Sequence, residues 1–254
     1  MLIRILTALA FLLPLPALAC GGAETCSLGT REYHALPPPD WDGVSPLPVL
    51  LHFHGWGRRS SGVIKNSRIA DAAAKAGALL LAPQGRGRSW RFWQGGSDDS
   101  DFALDVIDDA AKQWPIDRDR VAVSGFSYGG AMAWRMACDK GNVVKSYLPI
   151  AGSLPDPDQS CAGPVNLTHV HGLKDTVMDY PFGPNGEAEG AVSLWLAENQ
   201  CAASPDIRTT EGPFMCHYWT SCTGPPITLC THEGGHYIPK TWLADHLPRA
   251  IARE

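Results

Sequence analysis

Residues 125–129 read GFSYG and separate two runs of opposite character. RVAVSG at 120–125 is short, apolar and β-branched, whereas YGGAMAWRMAC at 128–138 is rich in helix formers. The pattern predicts a strand, a tight turn and a helix, with Ser127 at the corner. Glycines at 125 and 129 leave room for a strained turn packed closely against its neighbours.

The same alternation runs along the chain. Strands are predicted at 49–54 (VLLHFH), 78–83, 121–125, 146–153 and 166–172, and helices over 62–77, 99–114, 128–139 and 188–199. FMCHYW and ITLCTH read as two hairpin strands, and Trp242, Leu243, Leu247 and Ile251 face one side of a last helix. Strands without polar alternation, each followed by a helix, imply an α/β fold: one domain, a mostly parallel sheet and helices on both faces. Ligands then bind at the carboxyl ends of the strands.

The first 19 residues stand apart. Arg4, the apolar run ILTALAFLL and the ALA before Cys20 form a signal-peptide pattern, too short for a spanning helix. The expected division is a signal peptide at 1–19 and a catalytic domain at 20–254, secreted or periplasmic. A lipid anchor on Cys20 is the alternative. The cysteines, at 20, 26, 138, 161, 201, 216, 222 and 230, form an even set in an exported chain, which reads as disulfides. Sequence does not fix the pairing. Cys20–Cys26 would close a small loop and Cys216–Cys230 would face each other across antiparallel strands, leaving Cys138–Cys161 and Cys201–Cys222. Cys216, Cys222, Cys230 and His232 do not have a known zinc spacing, so no metal is expected. The formal charge of −5, one unit more negative without Arg4, and the lack of a basic stripe argue against a nucleic-acid partner.

Strand, GxSxG corner and helix together form the nucleophile elbow of an α/β-hydrolase, whose acid and histidine follow the serine in chain order. Asp175, in HVHGLKDTVMDY at 169–180, lies just past a strand end and is the first candidate acid; Asp156, Asp158 and Asp179 compete. His236, in THEGGHYIP at 231–239, is the candidate base, with His232 its main rival. His169 and His171 read as packing residues. The backbone N–H of Tyr128 and that of Trp56, in HGWG at 54–57, are candidate oxyanion donors, with His54 bracing that loop. The aromatic, arginine-bearing segment QGRGRSWRFWQGG at 84–96 should overhang the site. Trp90 and Trp93, together with Tyr237, are candidate substrate contacts, although Trp90 could instead plug the core.

The pieces LHFHG, LLLAPQG, WPIDRDRVAVSGFSYGGAMAWRMAC, HVHGLKDTVMDY and EGGHYIP occur in this order over roughly residues 47–239. In them the chain resembles the secreted polyhydroxybutyrate depolymerase and feruloyl esterase group of α/β-hydrolases. The resemblance implies a triad of Ser127, Asp175 and His236, oxyanion donors at Trp56 and Tyr128, and no metal or organic cofactor. It also implies a substrate among short 3-hydroxybutyrate polyesters, hydroxycinnamoyl sugar esters and acetylated xylans. Without a visible polymer-binding domain, small esters or oligomers fit best. A serine peptidase on the same fold, or a non-catalytic binding protein, is the alternative.

Overall fold

The computed structural model describes residues 20–155, 160–178 and 190–253. The signal-peptide region and the competing acids Asp156, Asp158 and Asp179 lie outside the described residues.

Ten strands form one sheet. In chain order they are β1 (Cys26–Leu28), β2 (Arg31–Leu36), β3 (Leu47–Phe53), β4 (Leu79–Pro83), β5 (Ile116–Phe126), β6 (Ser146–Ile150), β7 (Asn166–Gly172), β8 (Ile207–Glu211), β9 (Phe214–Trp219) and β10 (Ile227–His232). The spatial order is β1-β2-β4-β3-β5-β6-β7-β10-β9-β8. The six central strands, β4 through β10, pair in parallel. The edges, β1 and β2 on one side and β9 and β8 on the other, pair antiparallel.

Because successive strand residues point to opposite faces, the sheet feeds two cores. Val49, Leu51, Phe53, Val121 and Val123 pack with α3 (Asp98–Ala110), α4 (Tyr128–Lys140) and α5 (Ala191–Glu198). Leu50, Leu80, Ala122 and Leu148 face α1 (Ser60–Ile64), α2 (Ser67–Lys75) and α6 (Trp242–Ala250). Helices on both faces of a mostly parallel sheet are the architecture expected from the apolar strand runs.

The single helix expected over 62–77 is two. Lys65 closes α1, and Asn66 adopts an extended backbone and caps α2 by accepting a hydrogen bond from the Arg68 N–H. Strands β1, β2 and β8 carry no apolar run in the sequence: β8 reads IRTTE and is mostly exposed, as an outermost strand allows. Disulfides join Cys20 to Cys26, Cys138 to Cys161, Cys201 to Cys222 and Cys216 to Cys230. The last bridges directly opposed residues of β9 and β10. The sulfurs weighed above as metal ligands are therefore committed to disulfides.

Candidate active site

Ser127 sits where β5 turns into α4, at φ 60° and ψ −122°, a region a side-chain-bearing residue enters only at a cost. Close packing enforces it. A Cβ on Gly125 would collide with the Gly129 carbonyl, and one on Gly129 with the Phe53 carbonyl. The Ser127 N–H donates to the Ile150 carbonyl at 3.0 Å, and the Ala131 N–H donates to the Ser127 carbonyl at 2.9 Å. The hydroxyl therefore stands at the N-terminus of α4, among helix N–H groups that favour negative charge.

Asp175 and His236 are brought together by backbone. β7 and β10 run parallel and end side by side at Gly172 and His232. Beyond their ends the Leu173 N–H donates to the His232 carbonyl at 2.8 Å, and the Lys174 N–H to the Gly234 carbonyl at 2.9 Å. The loops approach so closely that a Cβ on Gly172 would meet the carbonyls of Gly234 and Gly235. His236 Nδ1 then lies 2.7 Å from Asp175 Oδ2. Asp175 Oδ1 accepts hydrogen bonds from the amides of Val177 at 2.8 Å and Met178 at 3.1 Å. Burial alone would raise the Asp175 pKa. The hydrogen bonds from His236, Val177 and Met178 outweigh it and hold the carboxyl below its ordinary value.

The His236 ring lies against Phe126, the residue before Ser127, with centroids 4.7 Å apart. Among the described residues no hydrogen bond of 3.5 Å or less yet joins Ser127 Oγ to the imidazole; such contacts often tighten only with substrate. His232, the rival base, is occupied otherwise: its Nδ1 accepts the Gly234 N–H at 3.0 Å, and its ring packs on Tyr237.

Gly55 packs onto the elbow, where an added Cβ would lie 3.7 Å from the Ser127 Cβ. Neither the Trp56 N–H nor the Tyr128 N–H is spent on a backbone acceptor among the described residues. His54 braces this loop. It donates from Nδ1 to the Gly55 carbonyl at 2.8 Å, and its Nε2 accepts the Gly85 N–H at 3.0 Å.

Trp90 is corrected: it is buried, its Nε1 donates to the His54 carbonyl at 2.7 Å, and its ring packs on Phe53 and His54. It is the core plug: its ring is buried and its indole N–H is spent on the His54 carbonyl. Trp93 and Trp56 are exposed, each about one ring away from Tyr128, at 6.2 and 6.3 Å. Tyr237 is 42 % exposed.

Sequence reading missed the link between His171 and the acid. His169 Nδ1 faces the Pro149 carbonyl at 2.9 Å, His169 Nε2 faces His171 Nδ1 at 3.2 Å, and His171 Nε2 reaches Asp175 Oδ2 at 3.3 Å. The four-residue spacing of His171 and Asp175 across a strand end was the available signal.

A strained serine at a strand–helix corner of a mostly parallel sheet, with a histidine packed on the preceding residue and tethered to a buried carboxylate, defines an α/β-hydrolase. Comparison with known proteins agrees. The family model described as X-Pro dipeptidyl-peptidase (S15 family) matches residues 34–179, and the chain belongs to that family. A bifunctional acetylxylan esterase/xylanase of Neocallimastix patriciarum is 27 % identical over 198 residues, covering 76 % of this chain but only 28 % of that protein. A probable feruloyl esterase C of Aspergillus niger is 22 % identical over 232 residues, covering 85 % of this chain and 82 % of the relative. Among solved structures, an acetyl xylan esterase from Aspergillus awamori superposes with a TM-score of 0.69 at 14 % identity, over 88 % of this chain and 95 % of that one, a likeness of fold. The chain is thus an enzyme of the α/β-hydrolase class, related to carboxylic-ester hydrolases. No helix of the described residues is long and apolar enough to cross a membrane.

Proposed function

We propose that this protein is a serine carboxylic-ester hydrolase working through an acyl-enzyme. The observation that carries the reading is the His236–Asp175 hydrogen bond beside the Ser127 elbow. His236, oriented by Asp175, takes the Ser127 proton as the oxygen attacks the ester carbonyl. The N–H groups of Trp56 and Tyr128 stabilise the tetrahedral oxyanion. His236 then protonates the departing alcohol, and water, activated by the same base, releases the acid and restores Ser127. Trp93 and Tyr237 contact the substrate at the rim. Substrates are small or oligomeric: hydroxycinnamoyl or acetyl sugar esters, which the names of the relatives favour, or 3-hydroxybutyrate oligomers, which the sequence motifs suggest. Four disulfides suit a secreted or periplasmic site. Cys20, bonded to Cys26, has no sulfur free for a lipid thioether in this state.

The family description favours one second reading, a dipeptidyl-peptidase. Such an enzyme must seat a protonated amino terminus. Among the described residues the cavity beside His236 is lined by Arg58, Arg59 and Arg68 and by no carboxylate, which supports the ester reading. The test is turnover of 4-nitrophenyl acetate and methyl ferulate against an X-Pro anilide, with fluorophosphonate labelling. Ester turnover and labelling, both lost in Ser127→Ala, are expected. Full ester turnover by Ser127→Ala, or anilide hydrolysis alone, would overturn the proposal.

A further inference from the structure

A cavity of about 440 Å³ opens beside the candidate site, and its wall includes His236, Phe126 and Gly55, the residues that surround the Ser127 corner. Its charge is one-sided. Arg58, Arg59 and Arg68 line it, and among the described residues no aspartate or glutamate does. None of the three arginines has an ion-pair partner among the described residues, although elsewhere Arg31, Arg91 and Arg118 find carboxylates. Arg68 is held in place by a hydrogen bond from its Nη1 to the Ile238 carbonyl at 2.6 Å, on the loop that carries His236. His52 lines the cavity, is 1 % exposed, and its Nδ1 has no hydrogen-bond partner among the described residues. Burial pushes its pKa down to about 3, so the ring is neutral at pH 7 and adds no charge to the wall.

Unpaired guanidinium groups clustered at a concave wall repel one another unless an anion visits, and a cleft of one sign concentrates ligands of the other. Guanidinium matches carboxylate with paired, charge-assisted hydrogen bonds. We propose that this cavity is a carboxylate subsite, and that the preferred esters carry a free carboxylate a few bonds from the scissile carbonyl. This rests on the ester-hydrolase reading and narrows its substrate class. A hydroxyacid oligomer with a free acid end, or a sugar ester on an acidic saccharide, has that chemistry.

Two matched pairs test it. On the acyl side, kcat/KM for 4-nitrophenyl hemiglutarate is compared with 4-nitrophenyl valerate; on the alcohol side, 4-carboxyphenyl acetate with 4-carbamoylphenyl acetate. The expected result is a preference for the anionic member of one pair, weakened by salt and reduced about tenfold or more in R58Q/R59Q. Ratios at or below one in both pairs, or a preference untouched by R58Q/R59Q, would overturn the subsite while leaving the esterase reading intact. Should no ester be turned over, calorimetry on Ser127→Ala with monomethyl glutarate still decides the matter. Salt-sensitive binding absent for dimethyl glutarate and lost in R58Q/R59Q supports the subsite, and equal behaviour of the two compounds rejects it. Thermal melting confirms that the variants are folded.

Discussion

His236 Nδ1 and Asp175 Oδ2 are 2.7 Å apart, although 61 residues separate them in the chain. The contact follows from the parallel pairing of β7 with β10, which ends both strands at one level and continues as two backbone hydrogen bonds between the loops. Any change that slips this register moves the imidazole away from its carboxylate.

Asp175→Asn should lower kcat by about 10³–10⁴ while leaving KM near its original value, because it spoils the tautomer and charge partner of His236. The same substitution carries a pH signature. The folded Asp175 pKa lies below its unfolded value, so its stabilisation is complete above about pH 4 and is lost as pH falls through the depressed folded value. Urea unfolding at pH 7 should show a deficit of about 1–3 kcal/mol for the variant. The deficit should close progressively below about pH 4, and one that stays constant to pH 2 contradicts the assignment.

His171 is buried, with its Nε2 3.3 Å from Asp175 Oδ2, so in the proposed mechanism it acts as a positioning residue. His171→Phe removes a ring nitrogen from beside Asp175 Oδ2 and should reduce kcat by about 10–100-fold, with KM little changed. His171→Gln, which retains an N–H donor, should recover part of the loss. Steady-state kinetics of the two variants, beside their melting curves, separates positioning from a simple loss of fold.

Asp99 ties the aromatic loop to the sheet. It lies 2.6 Å from the Arg31 guanidinium on β2, accepts the Arg91 N–H at 2.8 Å, and is almost fully buried. Arg31 also lies 3.5 Å over the Phe102 ring. Asp99→Ala strands that cation and should cost about 3–5 kcal/mol in chemical denaturation. A loss under 1 kcal/mol would show that the pair is dispensable.

Trp90 and Trp93 should behave as opposites despite their spacing of three. Trp90→Ala empties a buried site and breaks the bond to His54, and a loss of about 3–5 kcal/mol is expected. Trp93→Ala removes an exposed ring and should raise KM for aryl esters with little change in melting temperature. Equal stability losses would refute the division.

The central architecture was legible because β3, β4 and the second half of β5 are short apolar runs, and the GxSxG corner and the HGWG loop follow such runs directly. β7, β9 and β10 coincide with NLTHVHG, FMCHYW and ITLCTH. The edges were not: β1, β2 and β8 are held by pairing with a neighbour, a long-range effect that leaves no periodicity of its own. At the site, the GxSxG corner and the order of serine, acid and histidine mark local chain geometry. The fate of Trp90 and the reach of His171 depend on which groups lie across the sheet, and a one-dimensional string does not encode that directly.

The bridge between Cys216 and Cys230 has a bearing on where this chain can mature. It clamps the β9–β10 ribbon two residues before His232 ends the strand from which the imidazole-bearing loop springs. In a reducing cytosol that ribbon would be held by pairing alone. If the proposed export holds, passage into an oxidising compartment would do more than relocate the polypeptide: it would fix the last stretch of scaffold behind the His236 loop and so tie export to activity.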